Sequence, residues 1–155
     1  MNHKKEGDFL MLNKQDDLKS SWLCLTHFYD TVSKELEKNL KEKHQLALKE
    51  FYVLLFLSEA PDKVLPLQEL QHKIGLSQSA MSRLAARMES KSCGVIRKPR
   101  WNDDKRGVYT TITDDGEQLL NEVIVTFEDT IREALTKCDI GPYFNTIISS
   151  SEKKS

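Results

Sequence analysis

Apolar positions recur along this chain first at helical spacing, then at strand spacing, then at helical spacing again, and each change of period marks an element. From about Asp16 to Asn39, Leu18, Trp22, Leu25, Phe28 or Tyr29, Val32 and Leu36 fall three or four residues apart, the stripe of a long amphipathic helix. Lys41-Glu42-Lys43 reads as a polar connector. Residues Leu46 to Glu59 are apolar almost all round, as suits a helix packed on several sides, and Ala60-Pro61-Asp62 stops it. Val64-Leu65-Pro66 can supply a short edge strand. Leu67, Leu70 and Ile74 form the inner stripe of a short helix ending at Gly75, where a positive φ favours glycine. Leu76 follows as a buried anchor. Ser77 is a good N-cap for a second helix reaching about Ser90, with Ala80, Met81, Leu84, Ala85 and Met88 on its buried face.

The period then shifts. Val95 to Arg100 and Gly107 to Ile112 read as two strands, joined by the turn chemistry of Asn102-Asp103-Asp104. Thr113 caps a last long helix running to about Lys137, with Leu120, Val123, Phe127, Ile131 and Leu135 on one stripe. Such a helix of roughly 25 residues spans about 37 Å, longer than so small a domain covers alone. Gly141-Pro142 breaks it, Tyr143 to Ile148 gives a further short helix, and Ser149 to Ser155 is expected to fray.

Composition narrows the class. A chain of 155 residues, 39% apolar and 30% charged, suits one well-solvated domain. The apolar patch Phe9 to Leu12 is too short for an export signal or a membrane span, so a cytoplasmic location is expected. Cys24, Cys93 and Cys138 are scattered without a CxxC pair, which disfavours a disulfide framework or thiolate metal site. The histidines (His3, His27, His44, His72) form no i, i+4 pair, and no metal or cofactor is expected. No nucleophile elbow, phosphate-binding glycine loop or HExxH is present, and Asp103-Asp104 and Asp114-Asp115 read as turn and cap residues. An enzyme is not expected.

Charge distribution changes the picture more than net charge, which is only −1. Between Pro66 and Ile112 lie nine basic and four acidic residues, a net of +5, against 14 and 20 elsewhere, a net of −6. A cationic middle with anionic flanks attracts a polyanion at one face. The outward face of the second short helix carries Gln78, Ser79, Ser82, Arg83, Ala86 and Arg87, few acids and small polar groups. Two short helices joined at a glycine, followed by a basic hairpin, suit the DNA major groove and the backbone beside it. Arg83 is long enough to reach the O6 and N7 of a guanine. Ser77, Gln78, Ser79 and Ser82, at the helix N-terminus, can meet bases or phosphates. Arg87, Lys98, Arg100 and Lys105 suit phosphates. Arg106, at the hairpin tip, can enter a narrow A·T-rich minor groove, with Asp104 pinning its guanidinium. An ordinary hairpin ion pair is the other reading of that pair.

In element order and motif, residues 16 to 148 resemble the multiple antibiotic resistance regulator (MarR) family of winged-helix transcription factors. The resemblance rests on Asp104-Lys105-Arg106-Gly107 and Thr113-Asp114-Asp115-Gly116, placed after Ser77-Gln78-Ser79-Ala80-Met81-Ser82-Arg83-Leu84. It implies a mainly α (α+β) chain: a single domain over 1–155, with a winged helix-turn-helix DNA-binding region at about 46–116. Long N- and C-terminal dimerisation helices lie at about 16–45 and 117–148. It further implies a homodimer on a pseudo-palindromic operator in double-stranded DNA, acting as a repressor relieved by a small ligand or an oxidant. A winged-helix protein-interaction module without DNA binding is the alternative. Family members that sense peroxide carry a thiol on the first helix, where Cys24 lies, although a buried inert thiol is the default. Trp22, His27 and Phe51 could line an apolar cleft for a phenolic effector. The chain departs from the family at Ser92-Cys93-Gly94, about two residues more than usual between recognition helix and wing.

Overall fold

A 27-residue helix, α1 (Leu18–His44), opens the described part of the chain. The computed structural model describes residues 17–90, 94–99 and 107–153. Lys41-Glu42-Lys43 does not interrupt α1, contrary to the expected connector. Lysine and glutamate are good helix formers, and cations in a last turn favour the helix dipole. The break comes at Gln45, with φ of 54°.

Next comes α2 (Leu48–Glu59). Two carboxylates satisfy donors at its start: Leu48 N–H donates to Glu37 Oε2 at 2.9 Å, and Ala47 N–H donates to Glu50 Oε2 at 3.0 Å. A single 3-10 turn (Pro61–Lys63) leads into β1 (Val64–Pro66) and then α3 (Leu67–Ile74). The second short helix is α4 (Gln78–Ser90), followed by β2 (Ile96–Arg97) and β3 (Tyr109–Ile112). The strands are shorter than expected among the described residues. They form one antiparallel sheet in the order β1-β3-β2, with Leu65 opposite Thr110 and Ile96 opposite Ile112. An edge strand, two short helices and a strand pair in this order make a winged helix-turn-helix, on a mainly helical chain.

Two more helices complete the described chain, α5 (Asp114–Lys137) and α6 (Gly141–Glu152). The second outlasts its expected end at Ile148. The Ser150 and Ser151 hydroxyls turn back onto the Thr146 and Ile148 carbonyls, at 2.8 and 2.6 Å, and are accommodated within the helix. Gly141-Pro142 forms its first turn, where proline's missing donor costs nothing.

The chain divides into two compact units, Met1–Leu36 with Glu128–Ser155, and Glu37–Phe127. The second holds the winged region. Its core includes Leu40, Leu54, Leu57, Leu70, Met81, Met88 and Ile96, all nearly inaccessible. Phe51 joins them, its ring centroid 4.5 Å from that of Phe127. In the first unit Val32 and Leu36 are buried, whereas Trp22, Leu23, Tyr29, Phe144 and Ile148 stand exposed. Among the described residues no helix is long and apolar enough to cross a membrane, and no group of three or more His, Cys, Asp or Glu is placed to hold a metal ion.

Candidate nucleic-acid interface

The turn between α3 and α4 is built by local chemistry. Gly75 ends α3 with φ of 74°, and its N–H reaches back to the Gln71 carbonyl at 3.0 Å. Leu76 is half-buried rather than fully enclosed. Ser77 then caps α4: its hydroxyl accepts the Ala80 N–H at 3.2 Å. This pair of signals sets where α4 begins and so which residues stand at its N-terminus.

Once begun, α4 divides by face. Met81, Leu84, Ala85 and Met88 are buried. Gln78, Ser79, Ser82, Arg83, Ala86 and Arg87 are exposed, as is Ser77 just before them. The structure thus brings Ser77, Gln78, Ser79, Ser82 and Arg83 together on and beside one turn-and-a-half of exposed helix. Arg87 also stands outward, with an added constraint: its Nε lies 3.9 Å from Oε1 of Glu50, a carboxylate that is itself buried. Nothing in the spacing of residues announces that pair, which joins positions on different helices.

The hairpin base is anchored from both sides. Val95 N–H donates to the Met88 carbonyl, which closes the strand onto the last turn of α4 despite the extra residues before it. Gly94 takes a φ of 61° there. Leu67 N–H donates to the Val108 carbonyl, and the Thr111 hydroxyl to the Lys63 carbonyl at 2.8 Å. Arg97 and Lys98 are exposed on and after β2. Arg100, Asp104, Lys105 and Arg106, expected at the wing, lie outside the described residues, as do Trp101 and Cys93.

Thr113 welds the sheet to α5. Its hydroxyl donates to the Gly94 carbonyl at 2.7 Å and accepts the Gly116 N–H at 3.1 Å. The motif Thr-x-x-Gly has a steric reason as well as a capping one, because a Cβ on Gly116 would fall 2.1 Å from the Val95 carbonyl oxygen.

The expected sensing residues fall in both units. Trp22 and His27 are exposed in the first unit, and Phe51 is packed inside the second. Cys24 is buried in the first unit. Burial pushes its thiol pKa up, the neighbouring Cys138 pushes it further, and a hydrogen bond with Tyr143 partly offsets both. Burial, with Asp139 beside it, likewise raises the pKa of Cys138. The tyrosine beside Cys24 is therefore Tyr143, distant in sequence.

Comparison with known proteins agrees with this geometry. Residues 35–123 match the family model described as Transcriptional regulator SarA/Rot. The chain is similar to the HTH-type transcriptional regulator TcaR of Staphylococcus aureus (strain Newman), 26% identical over 93 residues, and the match covers 60% of each protein. The chain thus matches less than two thirds of that relative's length. Among solved structures it resembles Sco3205, a MarR family transcriptional regulator from Streptomyces coelicolor in complex with DNA. The TM-score is 0.69 at 22% identity, over 85% of this chain and 81% of the other. It also resembles the Mycobacterium tuberculosis MarR family protein Rv2887 in complex with salicylic acid. There the TM-score is 0.60 at 21% identity, over 85% and 93% of the two chains.

Proposed function

Because this chain belongs to the SarA/Rot family of transcriptional regulators, with a MarR-type winged helix-turn-helix fold, we propose that it binds double-stranded DNA in a sequence-specific manner through α4 and the adjoining hairpin. The observation that carries the reading is the divided α4, buried on one side and exposing Gln78, Ser79, Ser82 and Arg83 on the other. A helix that presents polar, cationic groups from its first turns is suited to lie in a major groove with its N-terminus toward the bases. Arg83 reads a base edge in this scheme. Ser77, Gln78, Ser79 and Ser82 contact bases or phosphates. Arg87, Lys98, Arg100 and Lys105 hold the backbone, and Arg106 with Asp104 works in the minor groove. The DNA complex of Sco3205, a protein of like fold, supports this reading.

The protein acts as a homodimer on a pseudo-palindromic operator in this reading. Trp22, Leu23, Tyr29 and Phe144, each more than half exposed in the single chain, supply apolar surface for a second copy. The helices at about 16–45 and 117–148 are the dimerisation arms, and about 46–116 the reading head. Regulation is repression, relieved when a small effector binds. An aromatic acid is the favoured class, on the analogy of the salicylic acid bound to Rv2887, whereas a protonated Cys24 thiol is a slow partner for an oxidant. The reading is of a binding protein rather than an enzyme, working in the cytoplasm beside the chromosome.

The direct test is an electrophoretic mobility shift with genomic fragments at low and high ionic strength, together with sedimentation analysis. A two-chain complex whose affinity falls steeply with salt is expected. A lone subunit, or indifference to every fragment at low salt, would overturn the reading.

A further inference from the structure

Glu50 is a carboxylate in the first turn of α2, the one charged side chain among that helix's buried residues, with only 4% of its surface exposed. A charge so placed is costly unless other groups answer it. Its Oε2 accepts the Ala47 N–H at 3.0 Å, which uses one oxygen for capping. Its Oε1 lies 3.9 Å from the Nε of Arg87, on the outer face of α4 one turn beyond Arg83.

The two members of this pair differ sharply in exposure: the Glu50 side chain is 5% exposed and that of Arg87 61%. The contact is made at Nε, the root of the guanidinium. The two terminal nitrogens carry four of the five guanidinium N–H groups, the ones that match a phosphate. A carboxylate below and open solvent above leave Arg87 ion-paired at its base, at a separation longer than a hydrogen bond, and available at its tip. An arginine without such a restraint gives up side-chain freedom on binding, whereas one already tethered gives up less.

We propose that Glu50 is a positioning residue of the DNA interface, holding Arg87 in advance in the pose that grips a backbone phosphate. The proposal rests on the DNA-binding reading above. A phosphate contact does not depend on base sequence, so it is measurable on any duplex the protein binds.

The experiment is a double-mutant cycle on the full chain with an A·T-rich duplex at low ionic strength, using wild type, Glu50→Gln, Arg87→Ala and the double variant. Glutamine keeps an oxygen for the Ala47 N–H and removes the charge facing Arg87. Glu50→Gln is expected to weaken wild-type binding by about 2- to 10-fold, the cost of ordering one long side chain. It should weaken the Arg87→Ala protein not at all. Arg87→Ala should also flatten the salt dependence by about 0.9 in log–log slope, and Glu50→Gln should leave that slope unchanged. An equal loss in both backgrounds would mean that Glu50 merely supports the fold, and no loss in wild type would mean that it does not orient Arg87. Either result overturns the proposal. Should Glu50→Gln fail to fold, Arg87→Lys replaces it: a loss close to that of Arg87→Ala supports the proposal, and wild-type affinity overturns it. Failure of wild type to bind the duplex would bring down the DNA reading itself, a result distinct from binding without coupling.

Discussion

Gly116 lies so close beneath Val95 that a Cβ at its position would stand 2.1 Å from the Val95 carbonyl oxygen. Ile112 Cγ1 would be 2.8 Å away on another side. Alanine normally favours a helix over glycine by up to about 1 kcal/mol. Here the nearest obstacle is backbone and cannot rotate aside. Gly116→Ala is therefore expected to destabilise the protein by about 1–3 kcal/mol, read as a lower urea midpoint. Unchanged or raised stability would show that α5 is not seated against β2 as described.

Arg83→Ala tests base reading. A bidentate contact to a guanine is worth about 1–3 kcal/mol of discrimination. The loss should be of that size on a selected operator and much smaller on random duplex. Equal losses on both would reassign Arg83 to a phosphate.

Arg106→Ala tests the wing. DNA affinity should fall strongly, while thermal stability and the state of association stay near wild type, because a tip arginine that enters a minor groove has no part in the core. Unaltered affinity in a gel-shift titration would remove Arg106 from the interface.

The proposed dimerisation through the first unit makes Leu23 a sensitive position, since it is 56% exposed in the single chain on a helix that buries Cys24 beside it. Leu23→Glu would place a charge in a dry interface, which costs far more than the same charge in water. Sedimentation should then show single subunits with helix content retained. A dimer as tight as wild type would place the interface elsewhere.

The Cys24 thiol lies above its ordinary pKa of 9.0, first because of burial and then because of Cys138. At neutral pH the folded protein should react slowly with iodoacetamide at this site, and the rate should climb only in alkali. The sign for stability follows from linkage. The folded state keeps a proton that the unfolded state gives up near pH 9, so the contribution is full below that pH and declines as pH rises through the folded value. Cys24→Ser should flatten the alkaline limb of a stability profile. Rapid alkylation at pH 7 would refute the assignment.

Local chemistry was easier to recognise in the chain than pairing across it. Gly75 and Ser77 act within a few residues of themselves, as does Thr113 where it caps α5, and all three stand where their turn and cap signals place them. The buried face of α4 was equally legible, because its period of 3.6 is a property of one helix. The Lys41 to Lys43 run was misread because polarity alone does not stop a helix whose residues favour it. Three relationships had no sequence signal: Glu50 with Arg87, Tyr143 with Cys24, and Gly116 under Val95. Each depends on where separate elements come to rest, and periodicity does not report that. The serine-rich run after Ile148 suggests fraying, yet the Ser150 and Ser151 hydroxyls bond carbonyls one turn earlier and are accommodated within α6.

The central place of β3 has an evolutionary consequence. Its partners on either side, β1 and β2, meet it at once, and Thr111 stands opposite Val64 on one side and Arg97 on the other. A substitution at Thr111 is therefore felt by both neighbouring strands, whereas one at Val64 or Arg97 is felt by one. A lineage carrying this scaffold is therefore freer to vary the outer strands than the one they share.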